Sequence, residues 1–201
     1  VLESGWYVLG NECKQFEEQW STVCGVGHGI GVANGMDAIE IALLGLSIGG
    51  GDEVITTPMT AFATILAIIR SGAKPVLADI DSETALLSIE SVRRSLTANT
   101  KAVILVHLYG QVRQMDEWVN FCEENKIMLI EDCAQAHQAT WKGKVAGSFG
   151  PVSYTISEPT RLGMISYAVF CLKKKNTQII DIDLCSIAFD PLLRPTSLHH
   201  H

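Results

Sequence analysis

Apolar positions change period from one stretch of the chain to the next. Between Asn11 and Cys24 the residues Cys13, Phe16, Trp20 and Val23 recur at three- or four-residue spacing, one face of a helix with Asn11 placed to cap it. A short strand over Gly29 to Ala33 runs into Asn34-Gly35 and a helix from Met36 to about Leu46, which Gly49-Gly50-Gly51 stops. The same alternation continues: strand Glu53 to Thr56, helix Met59 to Arg70, strand Pro75 to Asp79, helix Ser88 to Leu96. Lys101 to His107 then reads as a near-continuous apolar strand, Met115 to Glu124 as a helix and Ile127 to Glu131 as a strand. Strands that are apolar on both faces and alternate with helices predict an α/β fold, a mainly parallel sheet covered on both sides in a three-layer sandwich. After Gly150 the rhythm is lost, and the tract Leu172 to Leu198 predicts no definite element.

In such a sheet, ligands gather at the carboxyl ends of the strands. Asn34, Thr57, His107 and Asp132 stand at those ends. Asn34-Gly35-Met36-Asp37 lies between a strand and a helix start, where unpaired amides and the helix dipole favour an anion; taken alone, Asn-Gly before a helix is more often a plain turn with a cap. Phe62 lies in an apolar stretch, and by itself reads as core. The run Glu131-Asp132-Cys133-Ala134-Gln135-Ala136-His137 places two adjacent carboxylates where a buried strand ends. An acid there can keep a heteroaromatic nitrogen protonated; the alternative is a solvent-facing strand end with a helix cap.

Composition narrows the field. With 201 residues, 47% of them hydrophobic and 18% charged, the chain has material for one large domain or two small ones and is not a disordered polymer. A net charge of -7, from 15 Lys and Arg against 22 Asp and Glu, leaves no basic face for nucleic acid. The longest uncharged run, Val54 to Ile69, contains Thr56, Thr57, Pro58 and Thr60 and falls short of the ~20 apolar residues that span a bilayer. Without a basic and apolar leader pattern, the expected location is the cytoplasm. The six cysteines are scattered, with no Cys-x-x-Cys pair, and are expected to be reduced and mostly buried. His199, His200 and His201 look like a tag remnant and not a metal site. A nicotinamide-binding domain is disfavoured, because Gly25-Val26-Gly27-His28-Gly29 precedes the first strand instead of following it.

Five segments in order carry a resemblance: Ser4 to Gly10, Gly31 to Ala38, Gly51 to Pro58, Val106 to Gln111, and Glu131 to His137. Together they resemble the N-terminal portion of a sugar aminotransferase of the DegT/DnrJ/EryC1/StrS family, over about Leu2 to Gly150. The resemblance implies an aspartate aminotransferase-like large domain over residues 1–165, truncated, with an atypical tail over 166–198. It implies pyridoxal phosphate as cofactor, a nucleotide-linked keto sugar and an amino donor as substrates, and a homo-oligomer. By the same resemblance, the backbone at Gly35 and Met36 would hold the cofactor phosphate, although the family often has Thr where Met36 stands. Phe62 would lie against the pyridine face, Asp132 would pair with the pyridinium nitrogen, and Gln135 would lie near the phenolic oxygen.

The family's catalytic lysine has no counterpart. The turn that precedes it is present as Gly147-Ser148-Phe149-Gly150, but Pro159-Thr160-Arg161 follows with Arg161 where the lysine belongs, and no lysine occurs between Lys144 and Lys173. Arginine stays protonated and cannot act as an amine nucleophile. Lys173, Lys174 and Lys175 form one charged run of the kind that is usually a solvated surface. The competing expectation is therefore an inactive fragment or non-catalytic descendant, whether a natural truncation, a frame-disrupted product or an engineered piece.

Overall fold

The computed structural model describes residues 2–157 and 168–172. The elements run α1 (Asn11–Cys24), β1 (His28–Val32), α2 (Gly35–Gly45), β2 (Glu53–Thr56), α3 (Phe62–Arg70), β3 (Lys74–Leu77), α4 (Ile89–Ser95), β4 (Thr100–Val106), α5 (Met115–Asn125) and β5 (Met128–Asp132). A small hairpin of β6 (Thr140–Trp141) and β7 (Lys144–Val145) precedes β8 (Val152–Ser157) and β9 (Ala168–Leu172). Seven strands form one sheet in the order β1-β9-β8-β5-β4-β2-β3. Only β9 runs against the others, pairing antiparallel with both β1 and β8. The six remaining strands therefore deliver their carboxyl ends to one edge.

Each element through β5 forms where its pattern predicts, within a few residues. The Asn34 side chain accepts the Asp37 N–H at 3.0 Å and starts α2, and Ser88 caps α4 in the same way through the Ser91 N–H. Gly25, at φ +67°, ends α1 in the left-handed conformation that costs glycine nothing. The α3 helix starts later than its apolar run predicts. The Thr57 hydroxyl accepts the Met59 N–H at 3.0 Å, which holds residues 57–61 in a turn and leaves Phe62 as the first helical residue.

The two sheet faces carry separate cores. Ala38, Ile39 and Leu43 of α2 and Ala67 and Ile68 of α3 pack on Ile104, Ile130 and Val152 on one face. Val92 of α4 and Met115, Trp118 and Phe121 of α5 cover Ile55, Val103 and Leu129 on the other. A strand's side chains alternate between faces, so β5 feeds Ile130 to the first core and Leu129 to the second.

Three departures from the sequence pattern matter. The apolar face of α1 is not core: Phe16 and Val23 are exposed, and Phe16 stacks on Trp20 at 6.2 Å within the same helix. β8 and β9 complete the sheet beyond Gly150, where the strand–helix rhythm ends; non-local pairing places them there instead of a local period. Phe62 is 70% exposed and so is not a core aromatic. Cys24, Cys122 and Cys133 are buried and Cys13 is partly buried. Burial pushes the Cys122 thiol up to about 12. Among the described residues no helix is long and apolar enough to cross a membrane. Arg161, the lysines Lys173, Lys174 and Lys175, most of the 166–198 tail, and His199, His200 and His201 lie outside the described residues.

Candidate active site

The edge where the parallel strands end collects the residues singled out from the sequence. Val32 ends β1 just before Asn34, Gly35 and Met36; Thr56 ends β2 before the turn that leads to Phe62; Asp132 ends β5, with Gln135 three residues on. Gly35 is fixed by packing. A side chain there would collide with the phenol of Tyr154, which stands on β8 in register with Asp132. One contact set thus joins the start of α2 to the end of β5.

The two carboxylates leaving β5 have opposite surroundings. Glu131 points toward the α5 face and has no exposed surface. It accepts the backbone N–H groups of Gly147, Phe149 and Gly150 at 2.7 to 2.9 Å, and His107 Nε2 lies 3.0 Å from its Oε2. Burial works against its charge, but the His107 contact and the backbone donors win and hold its pKa below the ordinary glutamate value. Glu131 therefore ties the Gly147 to Gly150 turn to the sheet. The His107 ring at the end of β4 belongs to that tie and not to the ligand edge.

Asp132 points to the α2/α3 face and is 6% exposed, which excludes the solvent-facing reading. Its Oδ1 accepts the Ala134 N–H at 3.1 Å, and Thr64 of α3 donates to Oδ2 at 3.4 Å. Among the described residues it forms no ion pair with Lys, Arg or His. Burial raises its pKa, and the Ala134 N–H, the field of His107 and the Thr64 hydroxyl offset this only in part. A buried carboxylate in this state gains from a cation placed against it.

The remaining edge residues divide between support and availability. Asn34 is a cap, and Thr57 closes a turn. At the start of α2 the backbone N–H groups of Gly35 and Met36 have no acceptor among the described residues, which suits a bound phosphate. The Gln135 Oε1 accepts the N–H of Tyr109 at 2.8 Å, where Tyr109 holds a left-handed φ of +56°. That bond commits the carbonyl of Gln135 and leaves its NH2 to donate elsewhere. Asp132, without an ion-pair partner among the described residues, the amides at the start of α2 and the exposed ring of Phe62 are the kinds of group that a phosphorylated pyridine takes: an anion for the ring nitrogen, N–H donors for the phosphate and an aromatic face for the ring. These residues fit pyridoxal phosphate.

The sequence pattern leaves two contributors unmarked. Thr64 lies inside an apolar run, and its one signal is the hydroxyl pair Thr60 and Thr64 at helical i, i+4 spacing. Tyr154 lies beyond the point where the periodicity ends and carries no signal.

Known proteins share this fold. Residues 1–157 match the model of the DegT/DnrJ/EryC1/StrS aminotransferase family. The chain is 45% identical over 150 residues to dTDP-3-amino-3,6-dideoxy-alpha-D-galactopyranose transaminase of Aneurinibacillus thermoaerophilus, a match covering 75% of this chain and 41% of that protein. It is 39% identical over 153 residues to GDP-perosamine synthase of Vibrio cholerae, covering 76% of this chain and 42% of the relative. The X-ray structure of S. venezuelae DesV in complex with a ketimine intermediate superposes with a TM-score of 0.81 at 35% identity, over 87% of this chain and 47% of that one. The chain thus spans about two fifths of the length of these curated relatives. Aminotransferases of this family depend on pyridoxal phosphate. With the family model matching residues 1–157 and the fold shared with solved relatives, this chain belongs to the DegT/DnrJ/EryC1/StrS aminotransferase family.

Proposed function

We propose that this chain carries the cofactor-holding part of a pyridoxal phosphate-dependent aminotransferase that acts on a nucleotide-linked keto sugar. The observation that carries the reading is Asp132, buried at the carboxyl edge of the sheet with no cation among the described residues to pair with. Gly35 and Met36 would bind the cofactor phosphate through their backbone N–H groups, and Phe62 would cover a ring face. Asp132 would hold the ring-nitrogen proton at Oδ2, and the Gln135 NH2 would donate toward the phenolic oxygen. Bound there, the cofactor supplies an electron sink at the substrate carbon. The relatives named above act on dTDP- and GDP-linked sugars, which supports a nucleotide-linked substrate. An amino donor, a cytoplasmic setting and self-association belong to the same proposal.

Titration of the purified chain with pyridoxal phosphate, followed by near-ultraviolet absorbance and protein fluorescence, tests it. Saturable binding with one site per chain is expected; no saturable binding refutes the reading. Arg161 favours a second reading, in which the chain binds the cofactor reversibly but transfers no amino group. Borohydride reduction followed by peptide mapping separates the two. A stoichiometric adduct on one lysine, with turnover of a keto sugar, supports transamination. Scattered substoichiometric labelling without turnover supports the non-catalytic reading.

A further inference from the structure

Behind Asp132 runs a line of two hydroxyls that neither the fold nor the core requires. Thr64 Oγ1 lies 3.4 Å from Asp132 Oδ2, and Thr60 Oγ1 lies 3.0 Å from Thr64 Oγ1. Thr64 is 1% exposed, among apolar neighbours, so its hydroxyl is the first polar group of α3 that the carboxylate meets. Thr60 lies in the turn before α3 and is half-buried, so the line leads from the buried acid toward solvent.

Proton counting gives the line a direction. The other oxygen, Oδ1, is occupied by the Ala134 N–H, so Oδ2 is the atom that gains or loses a proton. Each hydroxyl has one hydrogen to give. When Asp132 is a carboxylate it only accepts: Thr64 must donate to Oδ2, and Thr60 can then donate to Thr64. Two hydrogen bonds pointing the same way polarise each other. When Asp132 is protonated and its Oδ2–H donates to Thr64, Thr64 must turn its own hydrogen elsewhere, and the head-to-tail line onto the acid is lost. The line therefore favours the charged acid.

We propose that Thr60 and Thr64 form a directional hydroxyl chain that positions Oδ2 of Asp132 and keeps it a carboxylate, ready to receive a heteroaromatic cation. Thr64 is thus a positioning residue: it acts through Asp132 and contacts no substrate. The other groups facing Asp132 are the Ala134 N–H, His107 at the end of β4 and Tyr154 on β8. His107 is engaged with Glu131, and the Ala134 N–H sits on the other oxygen, while the Thr64 hydroxyl is the donor that the described hydrogen bonds bring to Oδ2. The cation's identity rests on the proposed function; the effect of the threonines on Asp132 does not.

The test has two arms. In the chain without cofactor, a carboxyl 13C NMR titration of Asp132 compares wild type with Thr64→Val and Thr64→Ser. The valine variant should titrate about one pH unit higher, a tenfold change in proton affinity, while the serine variant stays with wild type. An unchanged titration in Thr64→Val overturns the inference, whatever the cofactor does. The second arm compares binding of pyridoxal phosphate with its deaza analogue, in which carbon replaces the ring nitrogen. Thr64→Val should weaken pyridoxal phosphate about tenfold, leave the analogue unchanged, and be rescued by serine. Equal weakening of both ligands shows a merely structural role and overturns the inference. If wild type binds neither ligand while the first arm succeeds, the proposed function fails and the hydroxyl chain stands.

Discussion

Glu131 and Asp132 are neighbours on one strand, yet they end in opposite chemical states. On the α5 side, three backbone N–H groups and His107 saturate Glu131, and its charge is held by a complete shell. On the α3 side, Asp132 has one backbone N–H and one hydroxyl, and its charge is undersupplied. Burial is nearly the same for both. What differs is the supply of donors, and that difference separates an acid that holds the structure together from an acid with capacity for a ligand.

Removing the saturated acid should have the largest effect. Glu131→Ala leaves His107 and the amides of Gly147, Phe149 and Gly150 buried without acceptors. A loss of about 3–5 kcal/mol, or failure to fold, is expected in urea denaturation. A loss below about 1 kcal/mol would show that Glu131 is not the tie described.

Gly35→Ala comes next, because the new methyl group meets the buried phenol of Tyr154. Overpacking of this kind costs about 1–3 kcal/mol. The thermal midpoint should fall, and a Gly35→Ala, Tyr154→Phe double variant should regain part of the loss.

A smaller contrast lies in the pH dependence of stability. Glu131 has a lowered pKa in the folded state, so its contribution is present above the ordinary glutamate range and is lost as pH falls through the lowered value. Asp132 has a raised pKa, so its contribution is present below the ordinary aspartate range and is lost as pH rises through the raised value. Asp132→Asn should therefore flatten the decline in stability on the rising-pH side, in denaturant midpoints taken across the acid range. If Asp132→Asn instead steepens that decline, the two acids have been assigned the wrong way round.

The smallest effect is expected at Phe62. Its ring is 70% exposed, so Phe62→Ala should leave urea stability unchanged within about 0.5 kcal/mol. Cofactor affinity should fall by the ~0.5–1.5 kcal/mol of an aromatic contact, measured by fluorescence titration.

Much of the contrast between the two acids is legible in the amino-acid sequence. Strand alternation alone sends residues 131 and 132 to opposite faces, and the period of the apolar positions places every helix and strand through β5. The family motifs then point to Asp132 and not Glu131. Other features depend on contacts between distant segments, which no local period records. His107 reads as a ligand-edge residue from its place after β4, but its ring lies against Glu131, 24 residues away. Thr64 is hidden by its apolar neighbours, because a hydroxyl in such a run gains meaning only from the acid opposite it. β9 enters the sheet through pairing with β1 and β8, so the strand that closes the sheet leaves no trace in the rhythm. The apolar stripe of α1 shows the converse: a clear helical period that the described core does not bury.

The central claim is that Asp132 is the acid with capacity for a cation. Parallel titrations of wild type and Asp132→Asn with pyridoxal phosphate near neutral pH test it most directly. The amide keeps the shape but cannot hold the ring-nitrogen charge, so the variant should bind at least about tenfold more weakly, with unchanged far-ultraviolet circular dichroism. Equal affinity for the two proteins would remove Asp132 from the site and contradict the account.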